Sequence, residues 1–137
     1  MKKFTLILLI IVASLIASIG TFFYFEYTDI LQVNSYGMDV RVTDDGITGF
    51  NIDTDALHFG SMSAGSGSQR ELVINNVEEE IKVQIIKKGT MATWVTNPNN
   101  ILVKKGHGYN ITFHMTVPQG TPLGNYTGEV IISLRKP

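Results

Sequence analysis

Three histidines, His58, His107 and His114, are the only imidazoles in the chain. A zinc site needs such ligands to converge, with thiolates or carboxylates completing the set. None of the three lies two or four positions from another. His58 and His114 fall at outward positions of alternating stretches, and His107 sits between two glycines in a turn, so all three read as solvated. Asp39, Asp44, Asp45, Asp53 and Asp55 offer oxygen ligands, but neither Asp44-Asp45-Gly46 nor Asp53-Thr54-Asp55 has the acidic spacing of an EF-hand loop. Aspartate also serves turns and guards strand edges. The serines between Ser61 and Ser68 lack the Gly-x-Ser-x-Gly elbow of a nucleophile. With no cysteine in the chain, disulfides, thiolate metal sites and cysteine nucleophiles are excluded. Paired carboxylates would need a cleft that a domain of this size hardly offers. The expectation is a protein that is not an enzyme and carries no catalytic residue, metal or cofactor.

Residues that could bind are easier to find. Lys87-Lys88 and Lys104-Lys105 each precede a glycine, which predicts turns. Should both turns lie at one end of the fold, they could face anionic headgroups. Glu78-Glu79-Glu80 reads as a solvated connection. Trp94, the single tryptophan, reads as core rather than as a stacking platform for sugar. Asn110-Ile111-Thr112 and Asn125-Tyr126-Thr127 are N-glycosylation sequons. A formal net charge of −1 argues against a nucleic-acid partner, which normally requires a basic face. No small-molecule substrate is expected.

The elements that carry these residues begin with an apolar run. The 137 residues average 44% hydrophobic and 17% charged, but that average joins two unequal parts. Residues 4–25 hold no charge. As a helix rising ~1.5 Å per residue they span roughly 33 Å, enough to cross a hydrocarbon core of about 30 Å. Lys2 and Lys3 before the run, with Glu26 and Asp29 after it, predict an N-in, C-out orientation. Phe22, Phe23, Tyr24, Phe25 and Tyr27 supply an aromatic belt. A cleaved signal peptide is the competing reading, with residues 4–17 as its core and Ser18-Ile19-Gly20 as small residues for a peptidase.

Beyond the run, period-2 alternation predicts strands. Met38, Val40 and Val42 alternate with Asp39 and Arg41, and Phe50 and Ile52 with Asn51 and Asp53. Leu57 and Phe59 flank His58. Leu72 and Ile74, residues 81–86, and Ile101-Leu102-Val103 continue the series. Ile111, Phe113, Met115 and Val117 form the cleanest face, and Tyr126, Gly128, Val130, Ile132 and Leu134 the last. Turn signals at Asp44-Asp45-Gly46, residues 61–68, Asn97-Pro98-Asn99-Asn100 and Pro118-Gln119-Gly120 separate them. This spacing predicts an all-β sandwich of about seven to eight strands. The organisation reads as a membrane anchor or signal over 1–26, a spacer with at most a first edge strand over 27–37, and the sandwich over 38–137.

Two stretches carry a family resemblance. Leu57-His58-Phe59-Gly60 through Gly65, then Arg70-Glu71-Leu72-Val73-Ile74-Asn75-Asn76, resembles the opening of immunoglobulin-like domains of the Hydin and major sperm protein type. Phe113-His114-Met115-Thr116-Val117-Pro118, with Pro122-Leu123-Gly124-Asn125-Tyr126-Thr127-Gly128-Glu129-Val130, resembles their last hairpin. The resemblance implies an Ig-like adhesive, spacing or assembly module of a surface protein, as found in archaea and bacteria, without catalytic residues. Ser18-Ile19-Gly20-Thr21-Phe22-Phe23-Tyr24-Phe25, with the later Gly65 loop, is similar to the TasA/camelysin family and archaeal thread-like pilins. That likeness implies polymerisation by donation of an N-terminal strand. The expected function is a membrane-tethered cell-surface module with a protein or envelope partner. Its alternative is a secreted filament subunit, self-associating as residues near 30–42 complete a neighbour's sheet.

Overall fold

The structure, a computed structural model, describes residues 2–45, 55–75 and 77–137. The expected alternation at Phe50 and Ile52, and the aspartate Asp53, lie outside the described residues. Helix α1, Lys2–Thr28, contains the apolar run. The hydroxyls of Ser14, Ser18, Thr21 and Thr28 do not oppose that character, because each finds a carbonyl one turn back. Ser14 donates to the Ile10 carbonyl at 2.8 Å and Thr21 to that of Ala17 at 2.8 Å. Satisfied in this way, serine and threonine are tolerated inside lipid. The span Lys3–Thr28 is long and apolar enough to cross a membrane, and none of its apolar window is buried against the domain. By length and composition it fits an anchor and a signal sequence equally.

Among the described residues eight strands follow: β1 Ile30–Val42, β2 Ala56–Met62, β3 Gly67–Ile74, β4 Ile81–Gly89, β5 Val95–Thr96, β6 Ile101–Val103, β7 Tyr109–Thr116 and β8 Gly124–Arg135. They form a five-stranded sheet in the order β2-β1-β8-β4-β6 and a three-stranded sheet in the order β3-β7-β5. The result is a two-sheet, sandwich-like all-β domain led by one helix. Neighbours are antiparallel except β1 and β2, which run parallel from Gly37↔Ala56 to Val42↔Met62.

The core lies between the sheets, where alternation delivers one face of each strand. Met38, Val40 and Val42 of β1, Phe59 of β2, Val83 of β4, Ile111, Phe113 and Met115 of β7, and Val130 and Ile132 of β8 are all buried. Leu72, Ile74, Ile85, Trp94 and Leu134 pack against this cluster while staying partly exposed. Residues 27–37, read as a spacer or a first edge strand, include part of a strand. They hold the last residues of α1, Asp29, and the first half of β1.

A close approach near the top of the larger sheet needs glycine on both strands. Gly89 of β4, at φ 87°, faces Gly128 of β8. A Cβ on Gly128 would sit 2.8 Å from Met38 Cε, 3.0 Å from the Lys88 carbonyl oxygen and 3.2 Å from Met91 Cβ. Met38 can swing aside, but the Lys88 backbone cannot. Gly128→Ala is expected to cost about 1–3 kcal/mol through overpacking. Urea unfolding should show the midpoint fall with an unchanged slope; an unchanged midpoint would mean that β4 and β8 part freely there.

Candidate functional site: an open sheet edge and its groove

The larger sheet is unevenly finished on the side of β1. Strand β8 pairs with β1 along its whole length, from Ile30↔Arg135 to Val42↔Gly124. Strand β2 joins the other side only from Gly37 upward. Among the described residues, therefore, 30–36 pair on one side alone. This open edge, Ile30-Leu31-Gln32-Val33-Asn34-Ser35-Tyr36, carries no charge and no proline, the devices that usually blunt an exposed edge.

Beside the edge lies a groove of about 640 Å3, between the lower half of β1 and the end of β3. Tyr36, Leu72, Ile74, Val77, Ile132 and Leu134 give it an apolar floor, and Glu78 and Glu79 stand at its mouth. The loops below are tied together: Val77 N–H donates to the His107 carbonyl at 3.2 Å and Gly106 N–H to that of Val77 at 2.8 Å. The Lys136 N–H donates to the Asp29 carbonyl at 2.9 Å, closing the end of the domain next to α1. Edge, groove and helix thus share one end of the molecule.

The lysine pairs are separated. Lys104 and Lys105 follow Val103, the register partner of Ile81, and are exposed at the helix-proximal end. Lys87 and Lys88 are not in a turn, because β4 continues through them to Gly89 and the chain turns there into a 3-10 segment, Thr90–Thr93. Six strand positions above Ile81, they lie roughly 20 Å from the other pair. Lys87 continues the inward face of Ile81, Val83 and Ile85, and its Nζ donates to the Val95 carbonyl of the other sheet. Desolvation by burial pushes its pKa below the usual lysine value. In the window just under that value the unfolded chain binds more protons than the folded one. Raising the pH toward the ordinary lysine value therefore relieves a cost and adds stability.

The remaining candidates do not converge. His58 Nδ1 meets Asp39 Oδ2 across β1 and β2, where the two residues are register partners. Arg70 Nε donates to the His58 carbonyl at 2.7 Å, linking β3 to that pair. His107 and His114 are both exposed, His107 in the loop before β7 and His114 within that strand. Among the described residues no three histidines or carboxylates gather as a metal site would require. Asp44, Asp45 and Asn125 line a shallow depression at the end of β1 and β8 farther from the helix, while Asp53 lies outside the described residues. Asn110 and Asn125 are exposed on β7 and β8, on different sheets. Trp94 packs tilted against Tyr126 with centroids 4.9 Å apart, and Tyr126 anchors the preceding loop by donating to the Pro122 carbonyl at 2.8 Å.

Sequence reasoning allowed a first edge strand within 27–37 and strand donation by residues near 30–42, but it did not distinguish the half of β1 left with an open edge. Its trace is a run of uncharged residues between a membrane-length helix and the first clear alternation. No protein-family model matches the chain, no curated protein matches it, and no solved structure matches it. The fold and its edge define a generic two-sheet β-domain with an apolar N-terminal helix.

Proposed function

We propose that the chain is an exported, non-catalytic structural subunit that assembles with copies of itself through its first strand. The observation that carries this reading is the position of β1. It is the element nearest the helix, it supplies Met38, Val40 and Val42 to the core, and all its pairing partners come from elsewhere in the sequence. The slot between β2 and β8 would accept the same strand from a neighbouring copy with identical contacts. Such an exchange hinges in the connection between Val42, where β1 ends, and Ala56, where β2 begins, and exchanging an identical element is a low-cost route by which protomers associate. Release of the helix by a peptidase would leave that arm free, with the helix serving as the export signal. N-glycans on Asn110 and Asn125 would sit at exposed positions of β7 and β8, that on Asn125 beside Arg41 of β1.

A second reading, a membrane-tethered surface domain that binds an envelope or protein partner, is favoured by one feature. Only Asp29 separates α1 from β1, so an uncleaved helix would hold the open edge and the Lys104-Lys105 turn close to the headgroups. Intact mass and particle size of protein isolated from its own cell envelope decide between the two. A chain lacking about 20–25 residues of its N-terminal segment, recovered as polymers, is the expected result. A full-length mass in monomeric particles would overturn the subunit reading and leave the tether.

A further inference from the structure

Where β8, β4 and β6 lie side by side, the outer face of the larger sheet carries two neighbouring cations, Lys82 and Arg135, that no acid among the described residues answers. We propose that the recess beside them, between Arg135 and the turn before β6, is a binding site for a phosphate group. Such a site is independent of how the chains associate and of the fate of the helix.

Lys82 of β4 and Arg135 of β8 are register partners, so their side chains leave the same face of adjacent strands. Like charges placed directly opposite in this way destabilise a sheet. Arg135 Nε is also buried without a hydrogen-bond partner among the described residues. Buried donors are almost always paired, so an orphan of this kind marks a place for a missing acceptor. The room for one lies alongside. Strand β6 covers β4 only from Ile81 to Val83. Next to that junction a recess of about 450 Å3 is lined by residues 82–85, Asn99, Asn100 and Arg135. Lys82 and Arg135 are its only charged lining residues, and Gln84, Asn99 and Asn100 add amide N–H donors. Asn100 stands at φ 55°, a left-handed position that asparagine tolerates, and there the chain turns from β5 into β6. A carboxylate would occupy the arginine fork with its two oxygens and leave Lys82 unmatched. A phosphate offers a further oxygen and up to a second charge, so the guanidinium can grip two oxygens while the ammonium meets another. Arg135 is also the register partner of Ile30, just beyond the end of α1 at Thr28. The site therefore begins at the level where the chain leaves the helix. In an anchored chain the phosphate would come from a lipid headgroup, and in a released one from solution.

Melting of the full-length chain in a neutral sugar detergent, followed by Trp94 emission, tests this with two probes at constant ionic strength. One is inorganic phosphate exchanged for chloride, and the other is dihexanoyl phosphatidylglycerol mixed into the micelles. At least one probe should raise the melting temperature. Arg135→Gln and Lys82→Gln should each weaken the binding that this rise reports by about tenfold or more, the loss expected for a charged hydrogen-bond donor. In chloride alone Lys82→Gln should melt no lower than the unaltered chain, because it relieves the opposed charges, so its weakened response reports binding rather than folding. Lys88→Gln removes the same charge from the same face of β4, beside Glu129, and should respond as the unaltered chain does. A rise with inorganic phosphate assigns the site to phosphate from solution, and a rise with the lipid alone assigns it to headgroups beside the helix. No rise with either probe, or a rise that survives in both Arg135→Gln and Lys82→Gln, would overturn the proposal. An equal loss in Lys88→Gln would also overturn it, leaving only a general effect of charge.

Discussion

A chain that begins at Thr43 will not fold alone, and it will fold when a peptide spanning Ile30–Val42 is added. Removing β1 takes Met38, Val40 and Val42 out of the core, where their exposures are 2%, 2% and 1%. Burial of such a side chain contributes about 1.5–3 kcal/mol, so three of them rival the roughly 5–15 kcal/mol that holds a domain of this size folded. The loss also opens two sheet edges, on β2 and on β8. The peptide restores all of this at once, because the slot is defined on both sides by strands that remain. Trp94 reports the result without a label, as its packing against Tyr126 shifts and sharpens its emission only when the sheets close. A peptide carrying Val40→Asp should fail to rescue, since it would bury a carboxylate without a partner. A truncated chain that folds without peptide would show that β1 is dispensable, and strand exchange would lose its physical basis.

Why the open edge escapes a reading by pattern is itself physical. Alternation is legible where one face of a strand meets the core and the other meets water, as at Ile111, Phe113, Met115 and Val117. In the lower half of β1 the relation is reversed. Gln32 and Asn34 share the inward face with Met38 and Val40 but line the groove, Leu31 joins them there beside a register shift between Ile30 and Gln32, and Val33 is exposed. Polar residues on the inward face and a register shift at the strand's start break the period, so no window of residues 27–37 reads as a core strand. The parallel pairing of β1 with β2 was equally hidden, because a crossover between parallel strands leaves no local turn signature. Lys87-Lys88-Gly89 misleads for a different reason. Lysine before glycine has turn composition, yet Lys87 completes the inward face of β4 because its stem packs and its ammonium reaches the Val95 carbonyl. The all-β class, the strand count and most of β7 and β8 follow from composition and period. The edges follow only from sheet order, which depends on contacts far apart in the sequence.

Phe59→Ala and Phe113→Ala are each expected to destabilise the domain by about 3–5 kcal/mol, enough to leave it barely folded. The two rings come from opposite sheets, Phe59 from β2 and Phe113 from β7, and both are 0% exposed. No disulfide supports the fold, and among the described residues no cluster could hold a structural metal, so the space between the sheets bears the load. The cost should also depend on where the cavity opens. Strand β7 is paired on both sides, by β3 and β5, and the backbone around Phe113 can collapse little. Strand β2 ends its sheet, so the chain around Phe59 can relax further, and its loss should fall toward the lower part of that range. Val73→Ala, on the exposed face of β3 at 58% exposure, should change stability by no more than about 0.5 kcal/mol. Urea midpoints of the three variants measured at constant slope test the ordering. If Phe59→Ala and Phe113→Ala moved the midpoint no more than Val73→Ala, the sheets would not be packed as a single core. Assembly would then have to supply the stability that the isolated subunit lacks.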